Sequence, residues 1–165
     1  MRHLRRKWTF RIGGASHVLV KKSGERGEHV LMKALMAQLY AARYPSLKIE
    51  VRLQGESKYK PDVIAVNRFG EAIFWGECGS VGETKLAYLL KHYRNTHLAI
   101  SKWNTTLKPF KEMIESNWPK NNRYAPVELI RFDDNARGNI EPDGEVQISW
   151  QEIRTVRWEP DGSKK

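Results

Sequence analysis

The chain has a single cysteine, Cys78, among its 165 residues, so no disulfide can close within it and a reducing compartment is expected. Long apolar runs are missing too. A membrane helix needs roughly 18 apolar residues in a row, and the most apolar stretch, 59–78, is broken by charges. The opening Met-Arg-His-Leu-Arg-Arg-Lys lacks the apolar core of a secretory signal. We therefore expect a cytoplasmic protein without a membrane partner. The five histidines, His3, His17, His29, His92 and His97, show no zinc spacing, and one cysteine cannot complete such a site. Gly79-Ser80-Val81-Gly82 precedes a helical pattern but lacks the Gly-Lys-Ser/Thr of a nucleotide-binding loop. There is no internal repeat and no low-complexity tract.

Positive charge is abundant. The formal net charge is +10, which favours a polyanionic partner because cationic surface gains affinity by releasing counterions from phosphates. The basic residues are spread along the chain apart from one cluster, Arg2, Arg5, Arg6 and Lys7, which reads as a basic arm spanning 1–7 or as a simple solvated face. The length suits one domain, taken as 1–165, and the tail 161–165 is expected to be disordered.

Periodicity gives the elements. Trp8, Phe10 and Ile12 alternate and meet Gly13-Gly14, a strand and turn with 17–21 returning as the partner. Leu31, Leu35 and Leu39 recur at helical spacing within 28–43, and Pro45 follows as a stop. Leu47, Ile49, Val51 and Leu53 alternate with charges, which predicts a strand over 47–53. The stretches 59–67 and 71–78 are rich in β-branched and aromatic residues around Arg68-Phe69-Gly70, a hairpin. Thr84 can cap a helix carrying Leu86, Leu89, Leu90 and Tyr93. Strands are predicted at 97–101, 127–132 and 146–150, and a helix at 105–118 that tolerates Pro109 in its first turns and stops at Pro119. A strand, helix, strand succession implies a parallel pair, so the central sheet is mixed.

Two carboxylates stand out inside the hairpin. Asp62 follows Pro61, and Glu77 precedes Cys78-Gly79, in strands otherwise filled with Val, Ile, Ala, Phe and Trp. Strand side chains alternate faces, so a two- or four-residue turn places both on one face, whereas a three-residue turn does so only with a bulge. Two adjacent buried carboxylates repel unless a cation lies between them. Two readings stand: a Mg²⁺ or Mn²⁺ site, since hard cations take oxygen ligands, or ion pairs with Arg52, Lys58 or Lys60. Cys78, alone in a buried-type strand, reads as a small core residue rather than a nucleophile. Trp103, Trp118 and Tyr124 can stack on bases or simply pack.

Pro61-Asp62 and Glu77 in consecutive strands, behind a helix bearing Glu28, resemble the PD-(D/E)xK nuclease superfamily over about residues 25–101. More narrowly, Phe74-Trp75-Gly76-Glu77-Cys78-Gly79, a Lys in the next helix and a closing strand with Trp158 are similar to the YaeQ branch. The resemblance implies an α/β fold with a restriction-endonuclease-like core (helix, three-strand meander, helix, strand), a mixed central sheet and extra edge strands. It implies that Asp62, Glu77 and the backbone carbonyl of Cys78 hold Mg²⁺ or Mn²⁺, and that Glu28 completes the site. A lysine normally follows the acid by two residues; here Gly79 stands there, and Lys85 in the next helix is the expected substitute. The implied activity is metal-dependent phosphodiester hydrolysis of nucleic acid, DNA in the first instance, by an enzyme in which a homodimer is one possibility. A binding module that kept the fold and lost cleavage is the alternative.

Overall fold

The computed structural model describes residues 6–120 and 123–160. Elements follow in the order β1 (Arg6–Ile12), β2 (Ala15–Lys21), α1 (Gly27–Ala41), β3 (Lys48–Ile49), β4 (Val63–Val66), β5 (Ala72–Cys78), α2 (Glu83–His92), β6 (His97–Trp103), α3 (Lys108–Ser116), β7 (Val127–Phe132) and β8 (Arg154–Trp158). Six strands form one sheet in the order β3-β4-β5-β6-β7-β8, and β1-β2 form a separate hairpin. Within the sheet β5, β6 and β7 are mutually parallel, while β3-β4, β4-β5 and β7-β8 pair antiparallel. Of the expected basic arm 1–7, residues 1–5 lie outside the described residues, as does the tail 161–165; Arg6 and Lys7 belong to β1.

The sheet separates two cores. On one face α1 packs through Val30, Ala34, Met36, Ala37 and Tyr40 against Val63, Phe74, Cys78 and Ala99. The β1-β2 hairpin contributes Phe10, Ile12 and Leu19 to the same core, so α1 is buried on nearly every side rather than along one stripe. Gly76 permits this closeness, since a Cβ there would lie 2.3 Å from the Met36 sulfur and 3.2 Å from Val63 Cβ. On the other face Trp75, Leu98, Ile100, Leu129 and Trp158 meet Leu86, Leu89 and Leu90 of α2 and Ile114 of α3. Arg123 closes this layer. Its guanidinium, fully buried, donates to the carbonyl of Leu90 in the last turn of α2 and to those of Tyr93 and Thr96 just beyond it.

Four expected elements differ, the first being the hairpin strand expected at 59–67, which spans only Val63–Val66. The strand at 47–53 shrinks to Lys48–Ile49 because Glu50 turns to φ +59 and sends its carboxylate to Lys33. The strand at 146–150 is reduced to a bridge at Val146, and Trp150–Glu152 forms a 3₁₀ turn closed by a reciprocal Ser149–Glu152 capping box. Helix α2 starts from Gly82 as its N-cap, so Thr84 lies inside the helix and caps nothing.

Candidate functional site

The phase of the β4-β5 hairpin decides what faces what. Val63 pairs with Gly76, Ile64 with Trp75 and Ala65 with Phe74, but Val66 pairs with Ala72, which leaves Ile73 as an extra residue. This bulge moves the register by one, and the ladder then ends at Val63 opposite Gly76, with Asp62 just beyond it. The Asp62 N–H donates to the Gly76 carbonyl at 3.1 Å, and the Cys78 N–H donates to Asp62 Oδ2 at 2.8 Å. Asp62 is thereby locked onto the end of β5.

The two carboxylates do not share the one sheet face that alternation predicts, because the backbone slips out of register at Asp62, whose N–H reaches Gly76; they draw their other partners from different layers. Glu77 faces α2: Trp75 Nε1 donates to its Oε2 at 2.8 Å, and Lys85 Nζ in the first turn of α2 lies 2.7 Å from its Oε1. Asp62 faces α1, where His29 Nε2 stands 3.4 Å from Oδ1. Burial raises the Glu77 pKa, the negative charge of Asp62 raises it further, and the Lys85 ammonium opposes both. Lys85 is itself steered by Tyr59, whose ring centre is 5.2 Å from the amine. Tyr59 and Lys58 are held in turn by Glu56, which accepts from both backbone N–H groups and from the hydroxyls of Tyr88 and Tyr93.

Glu28 does not join them. Its carboxylate pairs with Arg137 at 2.9 Å, in the turn after β7. Helix α1 instead presents a polar stripe that its apolar spacing does not announce: His29 Nδ1 is 2.6 Å and Lys33 Nζ 2.8 Å from Glu25 Oε2, and Lys33 also reaches Glu50. Burial would raise the Glu25 carboxyl, but the Lys33 hydrogen bond and charge overcome it and hold the group at about 2. The hydrogen bond to Asp62 raises the His29 pKa against the effect of burial. These groups, with Lys22, Ser23, Lys60, Pro61 and Asp62, line a cleft of about 410 Å³. Asp62 meets none of Arg52, Lys58 and Lys60 in an ion pair among the described residues; its ionic neighbour is His29.

The donors suit a hard cation only in part. Among the described residues no group of three or more His, Cys, Asp or Glu side chains is placed to hold a metal. Two carboxylates and the Cys78 carbonyl remain, and Mg²⁺ commonly takes one or two carboxylates and keeps its waters. The Cys78 thiol is not available: it is buried against Met36, and burial pushes its pKa up.

One more cation lies at this end of the sheet. Lys102 of β6 is 5 % exposed, and its Nζ donates to the Gly79 carbonyl at 2.5 Å.

No protein-family model matches the chain, and no curated protein sequence does either. Solved structures share the fold, two YaeQ proteins among them. The YaeQ protein from Pseudomonas syringae aligns with a TM-score of 0.58 at 14% identity over 98% of this chain and 90% of that one. The YaeQ protein from Xanthomonas axonopodis pv. citri aligns with a TM-score of 0.50 at 14% identity over 94% of this chain and 95% of that one. The fold, a mixed six-stranded sheet with a two-stranded hairpin, is thus YaeQ-like along nearly the whole chain.

Proposed function

We propose that the protein is a metal-dependent nuclease of PD-(D/E)xK type, with the restriction-endonuclease-like core expected from the sequence and DNA as the first substrate to test. The observation that carries this reading is the meeting of Asp62, Glu77 and Lys85 at the end of β5. Asp62 is bonded to the N–H of Cys78, next to Glu77, and Lys85 reaches Glu77 from α2 at 2.7 Å. Burial and Asp62 together raise the Glu77 pKa, a strain that a divalent cation would relieve.

Asp62, Glu77 and the Cys78 carbonyl would hold Mg²⁺ or Mn²⁺. When bound, such an ion polarises a phosphoryl oxygen and acidifies a coordinated water. The protein's own part is positional. The Cys78 N–H fixes Asp62, Trp75 Nε1 fixes Glu77, and Lys85 offers an ammonium beside the reacting phosphate at a helix N-terminus that favours anions. Lys22 and Lys60 on the cleft wall supply charge for the flanking backbone.

Supercoiled, linear duplex and single-stranded DNA incubated with Mg²⁺, Mn²⁺ or EDTA test the proposal. Strand scission is expected with either metal and not with EDTA, and Asp62→Asn should abolish it. A wild type that cuts none of these substrates with either metal would sink the enzyme reading. One observation favours the rival, a nucleic-acid-binding module on the same fold: both oxygens of each carboxylate already have a protein partner. Salt-sensitive DNA binding without scission is its signature.

A further inference from the structure

The fully buried cations of the described residues differ in what balances them. Lys33 has Glu25 and Glu50, and Arg123 has three carbonyls. Lys102 has the Gly79 carbonyl and the Phe110 ring, 3.8 Å from the amine, and no carboxylate among the described residues. An ammonium has three protons to donate, and leaving its charge buried without a counter-ion is costly. Burial alone lowers its pKa to about 8.

Its position is informative. The parallel register runs from Glu77 beside Ile100 to Cys78 beside Ser101, so Lys102 stands next to Gly79 and on the same face as Glu77. Gly79 has φ +86 and is where the chain leaves β5 for α2. Gly79 and Phe110 are half-buried and Ser80 is exposed, which leaves the amine just beneath the surface. Helices α2 and α3 follow β5 and β6 and both begin at this end of the sheet. Neither N-terminus carries a side-chain cap, so both helix ends favour an anion, although Pro109 takes one donor from the first turn of α3. Glu77, the carboxylate on this face, is already engaged by Lys85.

We propose that Lys102 is an oxyanion-binding lysine whose missing counter-charge is a phosphate group of the ligand, seated between the 79–82 loop and the first turn of α3. The identification of that phosphate as part of a nucleic-acid strand rests on the function proposed above; the need of Lys102 for an anion does not. Contact with a phosphate would return the amine towards the ordinary lysine range.

The test uses the whole protein and two probes, inorganic phosphate and a short single-stranded oligodeoxynucleotide, each against chloride at matched ionic strength. The Lys102 side-chain NMR signal, assigned by its loss in Lys102→Met, is followed through a pH titration. We expect its pKa near 8 in chloride and at least one unit higher with either probe. Oligonucleotide affinity should fall at least tenfold in Lys102→Met and recover in part in Lys102→Arg. A signal that phosphate and oligonucleotide move no further than chloride does would overturn the proposal, as would a folded Lys102→Met that binds like wild type. The wild-type titration decides even if Lys102→Met fails to fold. A Lys102 that responds to phosphate in a protein that cuts no DNA would keep this site and remove the nuclease reading.

Discussion

Each face of the sheet buries one lysine, and the two are treated in opposite ways. On the α1 face Lys33 is 3 % exposed and lies between Glu25 and Glu50, which raise its pKa against the effect of burial. On the α2 and α3 face Lys102 is 5 % exposed and faces a carbonyl and a ring, and burial lowers its pKa. The first lysine is a structural rivet, because its carboxylates join the start of α1 to the turn after β3. The second weakens the fold at neutral pH, which is how groups reserved for a ligand often behave.

Mutation of Lys33 breaks the comparison most severely. Lys33→Met leaves two carboxylates facing each other without their cation, and about 3–5 kcal/mol should be lost in urea unfolding at pH 7. A loss below about 1 kcal/mol would deny Lys33 its role. Acid should attack the same cluster. The folded Glu25 pKa lies near 2, below its ordinary 4.5; its contribution is therefore present above 4.5 and disappears as pH falls through 2. Glu25→Gln should flatten that limb of the stability curve.

Lys102 should show the reverse sign. Its folded pKa of about 8 lies below the ordinary 10.5, so the unfolded chain holds the proton more tightly between those values. The penalty is complete below 8 and relaxes as pH rises towards 10.5. Relative to wild type, Lys102→Met should gain on the order of 3 kcal/mol at pH 7, and the gain should shrink by pH 10. A mutant less stable than wild type at pH 7 would show Lys102 to be structural.

Asp62→Asn sharpens the contrast at the site itself. It removes the charge that raises Glu77 and keeps an oxygen to accept the Cys78 N–H. The relief at Glu77 is opposed by loss of the pairing with His29, so we expect a stability change below about 1 kcal/mol, with the wild-type rise in melting temperature on adding Mn²⁺ abolished. A destabilised mutant together with a metal-insensitive wild type would leave the pair as an ordinary ionic cluster. Lys85→Met, at a half-buried ion pair, should change stability by less than about 1 kcal/mol. Its informative effect is on Glu77, whose titration should move further upward by NMR; no movement would detach Lys85 from the site.

The succession α1, β3, β4, β5, α2, β6 was legible because each element carries its own period, and the predicted helices match α1, α2 and α3 to within a few residues at each end. The nearness of Asp62 and Glu77 at the end of the hairpin was legible, but their common face was not realised: Asp62 turns to His29 of α1 and Glu77 to Lys85 of α2, through irregularities at Ile73 and Asp62 that no local pattern announces. Lys85 was visible as a long side chain in the first turn of a helix behind Glu77. Glu28 was the more obvious acid on α1, yet Arg137, more than a hundred residues away in sequence, captures it. The stripe Glu25, His29 and Lys33 was present in the spacing and was overlooked because Glu25 precedes the helix. Lys102 carried a signal as well, since a lysine within Leu98-Ala-Ile-Ser-Lys-Trp103 is a charge in an otherwise buried strand. The strands lost at 47–53 and 146–150 failed on backbone detail, a left-handed Glu50 and a Ser149 capping box, that alternation does not encode.

The bulge at Ile73 also bears on how this hairpin can tolerate change in length. With an unbroken ladder from Val66 and Ala72, Val63 would face Trp75 in place of Gly76, and Ile64 would face Phe74 in place of Trp75. Deleting Ile73 itself closes the ladder while Val63 stays opposite Gly76, and only the local twist is lost. Deleting a residue of the turn at 67–71 must instead either reshape the turn or slip the strands and move Val63 off Gly76. Homologous sequences aligned through this segment should therefore place their gaps at Ile73 rather than in the turn.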